Sequence, residues 1–325
     1  MLEICIIFCD KDFNNLNNLI NGIKNKIKIP YIIKAWDNRQ DNKEDLEQFE
    51  NVTYYNIGGG NIRQFKARQK LAEYVDDDNY VWFVDGDDDI MEIESFPDVS
   101  NDLLIFSFLF NKKVYHTFEW NEKDIMGLNA MLWNKWIKGS LLKKAVKQIP
   151  QELDVTASED QIISLLSFIN NDRSYQVVDK VIYDYNNEVS NCFCIDYSNN
   201  YDKFEACTRG VKEAKEFIKT LISEDEYNNF LICSYHFFIF EKLLETENEE
   251  VAFKMIQKIH SFYTQEERDY MFYNAGLNDK DKKNFVRVVA TLQPTQKYRK
   301  VRYTYEDGSV VEEDEPMYPE LLVMK

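Results

Sequence analysis

Glycine and proline are scarce in this chain, at 10 and 6 of 325 residues, which excludes a fibrous or low-complexity protein. Histidine is scarcer: His116, His236 and His260 are the whole supply, so a histidine-centred hydrolase or a zinc enzyme has little to build on. Positive charge is in deficit, with 39 Lys and Arg against 57 Asp and Glu, a net charge of −18 and a pI near 4.7. Nucleic acid and anionic membranes are usually met by a basic footprint, so the balance disfavours both as partners, while a local basic patch stays open. No stretch approaches the roughly 20 apolar residues of a membrane helix. The longest candidates, Leu103–Phe110 and Phe237–Phe240 with its flanks, read as buried core. Met1-Leu2-Glu3-Ile4 offers no basic segment ahead of an apolar stretch, which argues against a signal peptide. Cys5, Cys9, Cys192, Cys194, Cys207 and Cys233 therefore read as reduced thiols, and Cys192-x-Cys194 lacks a second pair or a nearby histidine for zinc. The expected location is cytoplasmic, with a peripheral seat on a membrane left open.

What is present is apolar material: 44% hydrophobic and 14% aromatic residues, enough for a packed core. The first half alternates two periods. Ile4–Phe8 is a short β-type run, and Phe13, Leu16, Leu19, Ile20, Ile23 and Ile27 then recur at helical spacing. Pro30 stops that helix. Tyr31–Trp36 and Val52–Asn56 read as strands and Arg63–Val75 as a helix. Tyr80–Val84 reads as a strand running into Asp85-Gly86-Asp87-Asp88-Asp89, with Leu103–Phe110 and Lys113–Phe118 as later strands. Alternation of this kind predicts an α/β fold with a mostly parallel sheet covered on both faces. Ligands of such sheets bind beyond the carboxyl ends of the strands. Cys9-Asp10, Asp37-Asn38 and the Asp85 cluster all fall at strand ends.

After Trp120 the pattern changes. Trp133–Trp136 and Leu141–Val146 read as helix, Glu159–Ile169 as an amphipathic helix capped near Ala157-Ser158, and Ser174–Tyr185 as a strand. Lys203–Leu221, Glu224–Glu245, Glu249–Phe262 and Lys280–Ala290 read as helices. Tyr298–Tyr305 alternates and Asp307-Gly308 is a hairpin signal, with Lys300 and Arg302 on one arm and Glu312, Glu313, Asp314 and Glu315 on the other. An acidic tail is the alternative there. The predicted organisation is a domain over 1–195, a helical domain over 200–292, and a terminal hairpin or tail over 293–325.

Asp85-x-Asp87 is the sharpest local signal. Two carboxylates one residue apart on a tight turn can share a hard divalent cation, Mn²⁺ or Mg²⁺, which keeps positions open for substrate phosphates. Gly86 between them lets the backbone turn. A bare D-x-D is common by chance. Asp76-Asp77-Asp78 contains one too, between a helix and a strand start, and reads as a solvated connection.

Context makes the motif specific. Asp37-Asn38, Asn56-Ile57-Gly58, Ala67-Arg68-Gln69 and Asp85-Gly86-Asp87-Asp88 occur in that order. Leu132-Trp133-Asn134-Lys135-Trp136-Ile137 with Ser140-Leu141-Leu142, then Ser158-Glu159-Asp160, then Tyr183-Asp184-Tyr185 with Ser190, follow. Over about residues 1–195 this series resembles the inverting family-2 glycosyltransferases of the GT-A fold. Three positions depart from the family pattern. Phe8-Cys9-Asp10 stands where P-x-Y-N is frequent, Arg39-Gln40 replaces a small G-S pair, and Gln69 replaces Asn. The C-terminal part matches no family pattern.

The resemblance implies roles. Asp37 would contact the base, commonly uracil. Arg68 would support the donor phosphates or the acidic cluster. Asp85 would lie by the ribose or the metal, and Asp87 would bind the metal. Asp160 would be the general base, with Glu159 beside it. Cys9, Asp10, Asn38 and Arg63 complete the expected donor side, and Trp133 and Trp136 are candidates to stack on an acceptor sugar, or else core. The chemistry needs such a base, because inverting transfer requires a carboxylate to take the acceptor hydroxyl's proton. Glu159 and Asp160 as mere helix caps are the plain alternative. Gly58-Gly59-Gly60-Asn61 lacks the order of a phosphate-binding loop and reads as a turn lining the donor site.

The expectation is therefore a metal-dependent inverting transferase. It would move a sugar from a nucleotide diphosphate sugar, UDP foremost, to a glycan or lipid-linked oligosaccharide. A modified DNA base or a protein as acceptor is the alternative. A nucleotidyltransferase using the same acids, and a non-catalytic scaffold, are the rivals from other classes.

Overall fold

The structure, a computed structural model, describes residues 1–185 apart from 11, 41–45, 111, 118–130 and 156–158; beyond these it describes 201–228, 231, isolated positions between 251 and 270, 298–304 and 310–316. The chain forms two compact units, Met1–Ile195 and Asp196–Lys325.

The first unit is built on β1 (Leu2–Phe8), β2 (Tyr31–Asp37), β3 (Val52–Tyr55), β4 (Tyr80–Asp85), β5 (Asp89–Ile90), β6 (Leu103–Phe110), β7 (Lys113–Tyr115), β8 (Lys135–Lys138) and β9 (Gln176–Tyr185). Strand order is β3-β2-β1-β4-β8-β6-β9-β5, with β7 on β6. β1, β2, β3 and β4 run parallel; β8 is antiparallel to both of its neighbours. β1 is buried along nearly its whole length, as a central parallel strand covered on both faces must be. It still carries Glu3, whose carboxylate lies 2.6 Å from Lys34 of β2 and accepts from the Asp76 amide and the Asn79 side chain. That pairing is what allows a charge inside the sheet.

Helix α1 (Phe13–Lys26) buries Leu16, Leu19, Ile20 and Ile23 against the sheet. Helices α2 (Gln64–Tyr74), α3 (Gly139–Lys147) and α4 (Glu159–Asn170) follow in chain order. Chain order from β1 runs outward through β2 to β3, then returns to β4 on the other side of β1. The strand order therefore reverses between β1 and β4, the switch point at which such folds bind ligands in a crevice beyond the carboxyl ends.

The predicted helix over Trp133–Trp136 is not there. Lys135–Lys138 is strand β8, wedged between β4 and β6. The i, i+3 spacing of two tryptophans mimics a helical face, but the tertiary slot between two strands overrides it. The predicted Lys113–Phe118 strand is shorter, ending at Tyr115. The Ala157-Ser158 cap lies outside the described residues.

In the second unit, helix α5 (Tyr201–Lys219) matches the helical spacing read there, and residues 224–228 are helical. Ser223 and Glu226 form a reciprocal cap, as do Thr264 and Glu267. Glu267 also takes Lys215 at 2.6 Å and the Tyr227 hydroxyl at 2.9 Å. The Lys280–Ala290 helix lies outside the described residues. β10 (Tyr298–Thr304) and β11 (Val310–Pro316) form an antiparallel hairpin, so the acidic-tail alternative is set aside over these residues. Its register sets Lys300 opposite Asp314 and Arg302 opposite Glu312. No described helix is long and apolar enough to cross a membrane.

Candidate active site

The register brings the acids together. Phe8 of β1 pairs with Asp37 of β2, and Ile7 pairs with Asp85 of β4, so the two aspartates flank the last residues of β1 at the crevice. Beyond β1 the chain turns through Cys9 and Asp10 into α1. The Cys9 amide and thiol both donate to Asp12, at 3.2 and 2.9 Å, and Asp10 accepts from the Gln40 amide. Gly86 packs against this turn: a Cβ there would stand 3.0 Å from the Asp12 Cβ, and the Asn15 side chain donates to the Gly86 carbonyl.

The centre of the site is Arg68 on α2, 2% exposed. Its guanidinium donates to Asp85 Oδ1 at 3.1 Å, to Glu159 Oε1 at 3.2 Å and to Asp160 Oδ1. One buried cation thus joins the end of β4 to the first turn of α4. Gln64 also donates to Asp85 Oδ1, at 3.2 Å. The other Asp160 oxygen accepts from the Leu132 amide at 3.4 Å. Both α4 acids sit where a helix N-terminus favours negative charge.

Asp85 is only partly balanced. Burial pushes its carboxyl above the usual carboxylate range; Arg68 pulls it down, while Asp87 and Glu159 push it up again. Its backbone amide donates to the Tyr183 hydroxyl at 3.0 Å, which in turn donates to Asp88 at 2.8 Å. Burial, with Asp88 and Asp85 adding, holds that phenol protonated far above its ordinary range. Tyr183 therefore serves as a neutral relay fixing the Asp85–Asp88 turn.

Among the described residues no three of His, Cys, Asp and Glu are grouped to cage an ion. The donor set at Asp85 and the half-buried Asp87 suits a hard cation held by one or two carboxylates and completed by substrate phosphates.

The base side is arranged differently from expectation. Asp37 is fully buried and its two oxygens are taken by Arg39, Nε to Oδ1 at 3.0 Å and Nη2 to Oδ2 at 2.8 Å. Arg39 also stacks over Phe13 at 3.9 Å. The Asp37 carboxylate is therefore closed off from the crevice. Asn38 holds the Ile62 amide, and Asn56, at φ 63°, ties the Asp37 carbonyl to Gly60. Arg63 enters α2 at φ 68° and ψ 158°, a conformation left mostly to glycine, and its side chain pairs with Asp154 at 2.7 Å rather than joining the Arg68 cluster.

Trp133 and Trp136 follow the core alternative rather than the stacking one. Trp136 is wholly buried between Trp82, Phe96 and Phe106. Trp133 is 5% exposed and stacked on Tyr183 and Tyr185. Neither offers a face to an acceptor: β8 carries Trp136 into the core, and the turn before it does the same for Trp133. His116 stands half-exposed beside Asp179, and His236 and His260 lie outside the described residues. Sequence reasoning missed Gln64, Arg39, Tyr183 and Asp12. Arg39 left a trace as a departure from the family pattern, and Tyr183 as part of Tyr183-Asp184-Tyr185.

Compared with solved structures, the chain matches S. aureus TarS with a TM-score of 0.50 and 15% identity, over 96% of this chain and 60% of that one. The fold is the GT-A fold of glycosyltransferases. The chain spans about three fifths of the length of that TarS chain. Weaker likenesses are to TarS 1–349 in complex with UDP-GlcNAc (TM-score 0.47, 16% identity, 98% of each chain). The mannosyltransferase PcManGT of Pyrobaculum calidifontis, in complex with GDP-Man and Mn²⁺, follows (0.44, 8%, 90% of this chain and 86% of that one). No family model and no curated protein matches the sequence. In the GT-A fold of this chain, the crevice beside β1 is the place where the Arg68 cluster gathers.

Proposed function

We propose that the chain is a metal-dependent inverting glycosyltransferase acting on a nucleotide diphosphate sugar, UDP foremost, and a hydroxyl acceptor of the glycan or lipid-linked oligosaccharide class. The observation that carries this reading is Arg68, which holds Asp85 and the Glu159–Asp160 pair on one guanidinium at the strand switch point. Asp87, with Asp85, would hold Mn²⁺ or Mg²⁺, which supplies positive charge to the departing diphosphate. Asp160 takes the proton from the acceptor hydroxyl as its oxygen bonds to the anomeric carbon. The bond from that carbon to the diphosphate oxygen breaks on the opposite face, through an oxocarbenium-like transition state. Arg68 aims Asp160. The Arg39 clamp on Asp37 implies that base recognition falls to Asp10 and neighbouring backbone rather than to the Asp37 carboxylate. The proposed setting is cytoplasmic.

The test is thermal unfolding with UDP, GDP, CDP and dTDP, each with Mn²⁺ and with EDTA. A rise with one nucleotide that needs the metal supports the reading, since a ligand of the folded state stabilises it. No rise with any of them moves the weight to a scaffold without catalysis.

A further inference from the structure

The helix that carries Arg68 into the site presents a different surface on its other side. Between α2 and α3 runs an open groove of about 860 Å³. Its volume lies within the range of ligand sites. Lys66 and Lys70 line it from α2, Lys143 and Lys147 from α3, above a floor that includes Val146 and Ile149. Glu73 is the one acid in the lining. Four lysines against one glutamate is a sharp local reversal in a chain of net charge −18.

The existing partners of these lysines are weak. Lys70 and Glu73 meet at 2.9 Å but are each more than half exposed. Lys143 pairs with Asp77, which is 64% exposed. Such surface pairs are worth little and exchange readily. Lys66 donates to the Gln151 carbonyl and lies 5.8 Å from the centre of the Phe65 ring, and neither partner carries a negative charge.

We propose that this groove binds a linear phosphate-bearing polyanion, at a site distinct from the Arg68 crevice. Ammonium groups are effective point-charge partners of phosphate. Lysines on both banks of a concave channel suit a chain lying along it. A flat bilayer is the poorer fit, because surface-binding faces project large apolar side chains. The described exposed ones are Met1, Ile57, Tyr74, Val114 and Val310, none of which lines the groove.

The experiment is fluorescence anisotropy of labelled inorganic polyphosphate with the full chain, in the absence of nucleotide, so that its outcome is independent of the donor-site reading. Binding is expected. With about three lysines neutralised, it should weaken roughly a hundredfold for a tenfold rise in salt. The triple variant Lys70→Gln, Lys143→Gln and Lys147→Gln should lose at least tenfold in affinity. A matched variant at exposed lysines elsewhere, Lys24→Gln, Lys28→Gln and Lys113→Gln, should bind as the parent does. The proposal is overturned by no binding, by equal losses in the two variants, or by binding confined to vesicles containing anionic lipid.

Discussion

Replacing Arg68 by methionine keeps the length of the side chain and removes its charge. It leaves Asp85, Glu159 and Asp160 facing one another, with side-chain exposures of 26%, 15% and 23%. Removing one partner of a buried ion pair costs about 3–5 kcal/mol. Partial exposure of the three acids lets water screen them, so the low end, about 3 kcal/mol, is expected. For a unit of this size that is a fall in Tm of roughly 6–12 °C. All five tryptophans lie before residue 195, so tryptophan fluorescence reads the first unit alone. The pH dependence gives a sharper test. Without the guanidinium nothing pulls the Asp85 carboxyl down, so burial, with Asp87 and Glu159 adding, lifts it further above the unfolded value. That penalty is absent below the ordinary carboxylate range near pH 4 and grows as pH rises through the lifted value. The deficit against the parent should be full near neutral pH and shrink by about half or more toward pH 4.5. Adding Asp85→Asn to the Arg68→Met variant should recover part of it at neutral pH. An unchanged Tm, or a deficit that ignores pH, would refute the account of Arg68 as the shared counter-charge.

Asp160→Asn should keep metal-dependent nucleotide stabilisation but lower sugar transfer by about 10²–10⁴-fold, read by product chromatography. Asp87→Asn should instead abolish the metal-dependent part of the thermal shift. Gly139→Ala should destabilise the first unit by about 1–3 kcal/mol in urea titration, because a Cβ at that position collides with the Asp76 carbonyl. Burial alone pushes the Glu267 carboxyl up, but hydrogen bonds from Lys215, Thr264 and Tyr227 outweigh it and hold it below the usual carboxylate range. Its contribution is therefore present above that range and fades as the pH falls through the lowered value. Glu267→Gln should be less stable than the parent at neutral pH by helical circular dichroism, with the gap closing in acid.

Much of the scaffold was legible in the sequence because its signals are local. Apolar runs such as Ile4–Phe8 and Tyr80–Val84 are buried on both faces and could only be central strands. The 3.6-residue spacing from Phe13 to Ile23 likewise has one reading. Trp133–Trp136 misled because its spacing fits a helix while its environment, a slot between β4 and β6, is set by strands far earlier in the chain. Motif order singled out Asp85 and Asp160, and the structure brings both onto Arg68. The Arg39–Asp37 clamp was not legible, since two residues at i and i+2 say nothing about whether the strand end between them bends them together. Tyr183 stood in the motif series, but its role was hidden for a similar reason. Its value lies in a hydroxyl that reaches Asp85 and Asp88, nearly a hundred residues away in sequence.

The shared guanidinium also dictates when the site comes into being. Arg68 meets Asp85 across 17 residues, but Glu159 and Asp160 across 91 and 92. On a growing chain, the first partner is at hand within seconds of synthesis, and the other two arrive only after β8 and α3 have been made. The Asp85 side of the cluster can thus form early and the Glu159–Asp160 side is added later, so Arg68 has only one of these three carboxylates within reach until α4 docks.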